Sequence, residues 1–292
     1  MTYSCEELRA TSLFSEKPIM SGSSCCTIIA SVFIMSMLPP ISSWACDIHS
    51  NSIDLSKYKN TFTEDFDSLS VGAWSIIPGH NRWMAHTPWA GDFGDAKFVD
   101  PKPGFPFTVS NGVLRIEAKK NPAGQWESGL LSLVDPHGVG FAQKYGYFEA
   151  RMKMPPGKGV WPAFWLIGIE EAESRSEIDV VEYYGDHPDT YATVWHIWMK
   201  DQSKKGLGEE HFNPVRPGEL SESFHQFGVD ISEDFTCFYL DRHEVWRFKT
   251  PVQYKQPFYP LVNLALGAGY PLTETPNPSY LWVDYIKIYQ RN

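Results

Sequence analysis

Short runs of alternating apolar and polar residues, separated by turn residues, constrain the fold of this chain more than any other feature. Asn111 and Gly112 form a turn dipeptide directly before the alternating run Val113–Ala118, and a second run covers Leu281–Tyr289. Such alternation is typical of half-buried strands. The 22 prolines and 22 glycines lie mostly between runs, and no sustained helical periodicity is present. The sequence therefore predicts an all-β protein, a single-domain antiparallel sandwich.

One predicted strand carries three carboxylates. Glu177, Asp179 and Glu182 lie within six residues, among β-branched neighbours that favour a strand. In a regular strand Glu177 and Asp179 share a face, and Glu182 points to the opposite one. One extra residue near Val180 and Val181, a β-bulge, would return Glu182 to the acidic face. We therefore predict a bulged strand with three acids on one side.

Three acids on one strand face suit glycoside hydrolysis. A retaining mechanism needs an ionised carboxylate as nucleophile and a carboxylic acid as proton donor, with the carboxyl groups about 5–5.5 Å apart. Neighbouring carboxylates raise one another's pKa, which favours a protonated acid near neutral pH. A solvated polar face of an antiparallel strand would give the same pattern, and the segment alone leaves both interpretations open.

Segments on both sides of this strand extend the pattern. From about Phe62 to the C-terminus the sequence resembles glycoside hydrolase family 16, in the form with the extra bulge residue. The segments that carry the resemblance, besides Glu177–Glu182, are Tyr145–Lys153, Val160–Leu166, Thr193–His196, Phe224–Asp230, Leu261–Gly267 and Trp282–Tyr289. The resemblance implies a β-jelly roll whose concave sheet forms an open substrate cleft.

The resemblance also implies the roles of individual residues. Glu177 would be the nucleophile, Glu182 the general acid/base, and Asp179 an assisting carboxylate between them. The implied substrate-binding residues are Trp161, Trp165, Glu149, Arg151, His196 and Asn263.

Most of the implied substrate-binding residues have an ordinary structural alternative. Trp165 has apolar neighbours and could pack in the core. Glu149 and Arg151 share a strand parity and could form an exposed ion pair of little energy. His196, as a lone histidine, could be structural, and Asn263 could cap a strand edge.

Metal and cofactor signals are few. The sequence has no His/Cys cluster with zinc spacing and no EF-hand loop, and we expect no cofactor in catalysis. The resemblance implies a structural calcium ion on the convex face, with Gly112 and Asp284 among its ligands. Asp284 could equally be an ordinary exposed acid. Such an ion would stabilise the fold without entering the reaction.

Composition narrows the class of partner. The net charge of −10 argues against a nucleic-acid or anionic-membrane partner, since either would favour a basic patch. Aromatic residues make up 15% of the chain and include 11 Trp, whose flat rings can cover apolar sugar faces or fill a core. We expect a monomer that binds a polysaccharide, with no nucleic acid and no membrane.

The first 45 residues are predicted to be a cleaved signal peptide. Cys25–Leu38 is an uncharged, mostly apolar run of 14 residues, shorter than the about 20 needed to span a bilayer. Small residues at Ser43 and Ala45 suit cleavage, which leaves residues 46–292 as a secreted or periplasmic catalytic domain. Two cysteines then remain, Cys46 and Cys237, either as a disulfide or as free thiols.

These observations together predict a secreted retaining endo-β-glucanase that acts on β-1,3- or mixed β-1,3/1,4-glucan. The alternatives are a depolymerase of a succinoglycan-like bacterial exopolysaccharide, a transglycosylase, and a non-catalytic glucan-binding protein. The intact Glu-x-Asp-x-x-Glu pattern argues against the last. Trp83–Phe107 is predicted to form a long loop over one end of the cleft, and substrate choice usually resides in such loops.

Overall fold

A computed structural model describes residues 52–89, 91–169, 173–201 and 203–292. The predicted signal peptide, residues 1–45, and Cys46 lie outside the described residues. The strands are β1 (Tyr58–Glu64), β2 (Val71–Gly72), β3 (Trp83–Ala85), β4 (Lys97–Phe98), β5 (Phe107–Ser110), β6 (Val113–Lys120), β7 (Trp126–Ser128), β8 (Leu130–Ser132), β9 (Gly146–Lys153), β10 (Val160–Gly168), β11 (Ser174–Glu182), β12 (Thr190–Met199), β13 (Leu207–Pro214), β14 (His225–Ile231), β15 (Phe235–Leu240), β16 (His243–Lys249), β17 (Phe258–Leu266) and β18 (Ser279–Arg291). The helices are a 3-10 turn, Leu55–Lys57, and α1, Glu219–Glu222.

The strands form two sheets that pack face to face. The ten-stranded sheet has the order β16-β15-β14-β9-β18-β6-β7-β4, with β1 also paired to β18 and β5 to β6. The eight-stranded sheet has the order β13-β12-β11-β10-β17-β8-β3-β2. Almost all of the pairings are antiparallel, as the predicted sandwich requires; β2 with β3 and β4 with β7 are parallel.

The core between the sheets consists of the side chains that point inward from each strand. Phe148 and Met152 of β9 face Phe164 of β10 and Ile178 of β11 in one apolar cluster, and each of these side chains is fully buried. Burial of such side chains contributes about 1.5–3 kcal/mol each. We call the other side of the eight-stranded sheet, which points away from this core, the cleft face.

The outward side of the ten-stranded sheet is covered by the start of the described chain. Tyr147 and Cys237 are completely buried there, beneath Ile53, Leu55 and Tyr58. Cys237 is disulfide-bonded, and every other cysteine of the sequence lies outside the described residues. In the part of the chain that the structure describes, no helix has the length and apolarity to cross a membrane.

Candidate active site

The predicted bulge is present in β11. Asp179 pairs with Val194 of β12 and Glu182 pairs with Ala192, so three steps on β11 match two on β12. The pairing with β10 shifts at the same place, which leaves Val180 as the extra residue. A bulged residue interrupts the alternation of a strand. The acids of β11 therefore lie together on the cleft face.

The core side of the bulge explains why the strand adopts it. Ile178, Val180 and Val181 are all buried in the core cluster. With both valines directed inward, the next residue, Glu182, is returned to the side of Glu177. The apolar residues on one side of β11 thus determine where the carboxylates lie on the other.

Indole groups hold the two glutamates from opposite sides. Trp198 Nε1 donates a hydrogen bond of 2.7 Å to Glu177 Oε2, and Trp161 Nε1 donates one of 2.9 Å to Glu182 Oε1. Tyr184 also hydrogen-bonds Glu182. Hydrogen bonds to a charged acceptor are stronger than neutral ones, so these donors fix the carboxylates in position.

Burial raises the pKa of each of the three acids. The pKa of Glu177 rises to about 7 because of burial, with a further contribution from the charge of Glu182. The pKa of Glu182 also rises to about 7, again mainly through burial. Asp179, which is 5% exposed, has a pKa well above its usual range through burial and both neighbouring glutamates. The site therefore carries less negative charge near neutral pH than three free acids would.

Two charged neighbours distinguish the glutamates from each other. Arg175, two residues before Glu177, lowers the pKa of Glu177 by its positive charge. Glu210 of β13 lies across Val194 from Asp179, and its negative charge raises the pKa of Glu182 and of Asp179. These two charges act in opposite directions, but the hydrogen bonds from Trp161 and Tyr184 lower the pKa of Glu182 and the charge of Glu182 raises that of Glu177, so both pKa values lie near 7.

His196 lies beside the acids, as predicted. It pairs across the strands with Glu177, and its ring stacks on Trp198 at 4.5 Å between centroids. Burial lowers the pKa of His196 to about 4, so the ring is neutral at neutral pH. Its role in binding substrate stays a prediction.

One group in the described part of the chain could hold a metal ion. Ligand atoms of Glu177, Asp179 and His196 lie within 4.8 Å of one another. Glu177 Oε2 already accepts the hydrogen bond from Trp198 Nε1, so an ion at this position would compete with that donor.

The structure corrects the prediction that Trp165 and Asn263 contact the substrate. Both side chains point to the cleft face, but Trp165 is 5% exposed and Asn263 is completely buried. Trp165 Nε1 donates a hydrogen bond of 2.7 Å to Asn263 Oδ1. The rings of Trp89 and Phe93 pack edge-on against Trp165 and cover it. Trp161 is half-buried and remains at the border of the open cleft.

The structure also corrects the prediction that Glu149 and Arg151 contact the substrate. They lie on β9, in the ten-stranded sheet, and not on the sheet that carries the acids. Glu149 is completely buried and accepts two hydrogen bonds from Arg242, at 2.9 and 3.0 Å. Arg151 pairs with Asp284 at 2.5 Å. Both residues therefore stabilise the outward side of the opposite sheet.

Calcium binding at Gly112 and Asp284 stays a prediction. Gly112 lies in the turn between β5 and β6 with a φ of 71°, close to the carbonyl of Asp65. The carboxylate of Asp284 is already engaged by Arg151, so an ion would compete with that guanidinium. No step of the chemistry below depends on this ion.

The sequence interpretation missed several residues of the site. Trp198 carries the hydrogen bond to Glu177 and is 40% exposed. It lies two residues after His196 on the same strand face, so strand parity could have identified it. Tyr184 lies two residues after Glu182, so the same spacing could have identified it, whereas the proximity of Glu210 to Glu182 depends on which strands pair.

The chain is similar to known proteins in sequence and in fold. The family model for glycosyl hydrolases family 16 matches residues 107–278. Two proteins of Rhizobium meliloti (strain 1021), the endo-1,3-1,4-beta-glycanases EglC and ExsH, are each 33% identical to the chain, over 274 and 265 residues. The alignments cover 84% and 82% of this chain but 55% and 53% of those proteins, so the chain spans about half their length.

Solved structures show the same fold. The laminarinase catalytic domain of Thermotoga maritima MSB8 matches with a TM-score of 0.62 at 24% identity, over 80% of this chain and 98% of that chain. SCLam, described as a non-specific endo-beta-1,3(4)-glucanase, matches with a TM-score of 0.63 at 23% identity, over 81% and 92%. The predicted jelly roll is thereby confirmed.

Proposed function

The chain belongs to glycosyl hydrolase family 16, and we propose that it is an endo-β-glucanase that hydrolyses β-1,3- or mixed β-1,3/1,4-glucan with retention of configuration. The observation that carries this proposal is the bulged strand β11, with Glu177, Asp179 and Glu182 together on the cleft face. The names of the two relatives from Rhizobium meliloti support the substrate class.

The charges around the acids support a role for each glutamate. Glu177 is the nucleophile by its place in the Glu-x-Asp-x-x-Glu pattern, and the hydrogen bond from Trp198 and the charge of Arg175 favour the ionised form that this role needs. Glu182 is the general acid by its place in the same pattern, and the raised pKa that burial gives it, with a smaller contribution from the charge of Glu210, is compatible with a proton donor near neutral pH. With both pKa values near 7, the two glutamates can share one proton, so that one is ionised while the other is protonated.

The reaction then follows in two steps. Glu177 attacks the anomeric carbon while Glu182 gives its proton to the departing glycosidic oxygen, which leaves a covalent glycosyl ester on Glu177. Glu182, now ionised, takes a proton from a water molecule that attacks the same carbon and releases Glu177. Two inversions restore the original configuration.

Asp179 assists without bonding to the sugar. Burial and the charges of both glutamates raise the pKa of Asp179, which favours its protonated form, and in that form it can donate a hydrogen bond to Glu177 and carries no competing charge. An ionised Asp179 would disfavour the charge that Glu177 needs for attack.

Retention and the role of Glu182 can be tested together by chemical rescue. Glu182→Ala removes the proton donor, and azide, which needs no general base, should restore turnover and give a glycosyl azide of retained configuration. The substrate is an activated aryl glycoside, and the product is assigned by NMR. A product of inverted configuration would exclude the two-step mechanism.

Substrate class requires a panel of polymers. We expect release of oligosaccharides from laminarin or lichenan, with less from carboxymethyl-cellulose, xyloglucan and succinoglycan. Cleavage of succinoglycan and of no other polymer would support the alternative function, depolymerisation of a bacterial exopolysaccharide. Binding without cleavage on every polymer would support the glucan-binding alternative and contradict the proposal.

The proposal includes export and a monomeric state. Residues 1–45 are a signal peptide, so expression of the full chain in a secreting host should yield an extracellular or periplasmic protein that begins at Cys46. N-terminal sequencing and the mass in solution test both statements. A protein that retains residues 1–45 in the cytoplasm would contradict export.

A further inference from the structure

On the side of β11 occupied by β10 and β17, the cleft face of the eight-stranded sheet is covered and its side chains are buried. The side chains of β17 that point to this face are Tyr259, Leu261, Asn263 and Ala265, and none is more than 5% exposed. On β10, Ala163, Trp165 and Ile167 are buried in the same apolar cluster. This cluster is separate from the core between the sheets.

The cluster is covered by residues 86–89 and 91–96, which connect β3 to β4 and which we call the covering loop. The ring of Phe93 lies 5.5 Å from that of Trp161 and 5.8 Å from that of Trp165, both edge-on. Trp89 packs on Trp165 at 5.9 Å, and the guanidinium of Arg175 lies over Trp89 at 4.5 Å. Aromatic contacts of this geometry are favourable.

Backbone contacts hold the covering loop on the sheet. The amide of Asp95 donates a hydrogen bond of 2.8 Å to the carbonyl of Leu266, the last residue of β17. A Cβ on Gly94 would lie 2.5 Å from that carbonyl, and a Cβ on Gly267 would lie 2.0 Å from the carboxylate of Asp95. Both glycines are at positive φ, so the close approach depends on the absence of a side chain.

The other side of the catalytic strand is open. Trp198 of β12 is 40% exposed and Phe212 of β13 is 53% exposed, and both point to the cleft face. Exposed aromatic rings beside carboxylates suit the stacking of sugars. A glucan chain can therefore extend from the acids across β12 and β13.

The spacing between strands limits how many sugar units fit on the β10 side of β11, which we call the closed side. β10 is the immediate neighbour of β11, and adjacent strands are about 4.8 Å apart, roughly the width of one pyranose ring. Phe93 lies on the tryptophans of β10. About one sugar unit can thus lie flat between the catalytic carboxylates and the Phe93 ring.

We propose that Phe93 is a specificity-determining residue that ends the cleft on the β10 side. It limits the glucan to about one sugar unit against the sheet there, while the rest of the chain lies over β12 and β13. This inference rests on the proposed glucanase function. Its consequence is that the rate gains little from additional sugars on the closed side.

The test compares two phenylalanines at opposite ends of the cleft. Phe93→Ala uncovers Trp161 and Trp165, and Phe212→Ala removes a ring from the open side. Initial rates and the bond cleaved are measured with laminari-oligosaccharides of increasing length, labelled at the reducing end. Wild-type kcat/KM should level off once the open side and one unit on the closed side are filled.

Phe93→Ala should shift the main cleavage site by at least one unit toward the closed side, and kcat/KM for the longest oligosaccharides should rise relative to short ones by about tenfold. Phe212→Ala should lower kcat/KM for long oligosaccharides without adding a binding position. A cooperative thermal unfolding transition in each variant would show that both are folded.

The outcomes separate this inference from the proposed function. An active wild type whose cleavage pattern is unchanged by Phe93→Ala overturns the inference and leaves the glucanase proposal intact. A wild type inactive on every β-glucan overturns both. If Phe93→Ala does not fold, Phe93→Val keeps an apolar contact without the ring, and the same shift in cleavage site is expected.

Discussion

The cleft face of the eight-stranded sheet contains two regions that share one strand alternation but differ in side-chain chemistry and in exposure. On β11 and β12 the cleft-facing side chains include the three acids, His196 and Trp198, and Trp198 is 40% exposed. On β10 and β17 they are largely apolar and buried beneath the covering loop. Both regions follow the same strand alternation. Whether a cleft-facing residue binds substrate or packs depends on which segment covers it.

The two regions also differ in how their polar groups are satisfied. In the covered region the Trp165 indole donates to Asn263, a neutral pair inside an apolar cluster. In the open region burial and like charges raise the pKa values of Glu177 and Glu182 from 4.5 to about 7, so the folded state loses stability as the pH rises through that range and bears the full penalty above it. Changes in the open region should therefore affect the rate, and changes in the covered region the stability.

The largest expected effect belongs to the nucleophile. Glu177→Gln keeps the shape of the side chain but removes the attacking carboxylate, so kcat should fall by about 10⁴-fold or more. Glucan affinity and the melting temperature should be retained. Reducing-sugar assays and calorimetry measure both, and a variant with a tenth of wild-type activity would contradict the role of Glu177.

Trp198→Phe tests the donor that holds the nucleophile. Loss of a hydrogen bond to a charged group costs about 1.5–3 kcal/mol, so kcat should fall by about tenfold or more. Because this bond lowers the pKa of Glu177, its loss raises that pKa and moves the acidic limb of the rate profile to higher pH. A rate loss without movement of the acidic limb would restrict Trp198 to sugar stacking.

Trp165→Phe makes the corresponding change in the covered region. It leaves the buried Oδ1 of Asn263 without its donor, at a cost of about 1–3 kcal/mol in the free energy of unfolding. The melting temperature should fall by about 2–4 °C per kcal/mol, while kcat changes less than about twofold. Phe212→Ala, on the exposed side, is the control and should leave the melting temperature nearly unchanged. Equal stability of the two variants would contradict the contrast between the regions.

Glu210→Gln should produce the smallest effect. The negative charge of Glu210 raises the pKa of Glu182, so the variant lowers that pKa and moves the basic limb of kcat/KM to lower pH. The acidic limb should stay in place. We expect a shift of a few tenths of a pH unit, since Glu210 is exposed and its charge is screened. Measurement at low ionic strength enlarges the shift, and a shift of the opposite sign would contradict the electrostatic assignment.

Strand parity in the sequence predicts that the three acids share one face, but it does not predict which segments cover or flank the cleft. The bulge near Val180 follows from local chemistry, because two valines and three acids can be segregated only with one extra residue. Parity also groups Glu149 with Arg151, yet it contains no information on which sheet their strand joins. Trp165 was misassigned because the residues that cover it, around Phe93, lie some seventy positions earlier and have no regular periodicity.

The bulge at Val180 gives β11 an uncommon response to a change in length. Removal of the codon for Val180 would leave Glu177, Asp179 and Glu182 at alternate positions of a regular strand, all still on the cleft face. An inserted codon at the same place would instead turn Glu182 towards the core. The three acids thus share one face of β11 both with and without the bulge residue. A lineage could lose that residue in one mutation and keep its catalytic acids aligned.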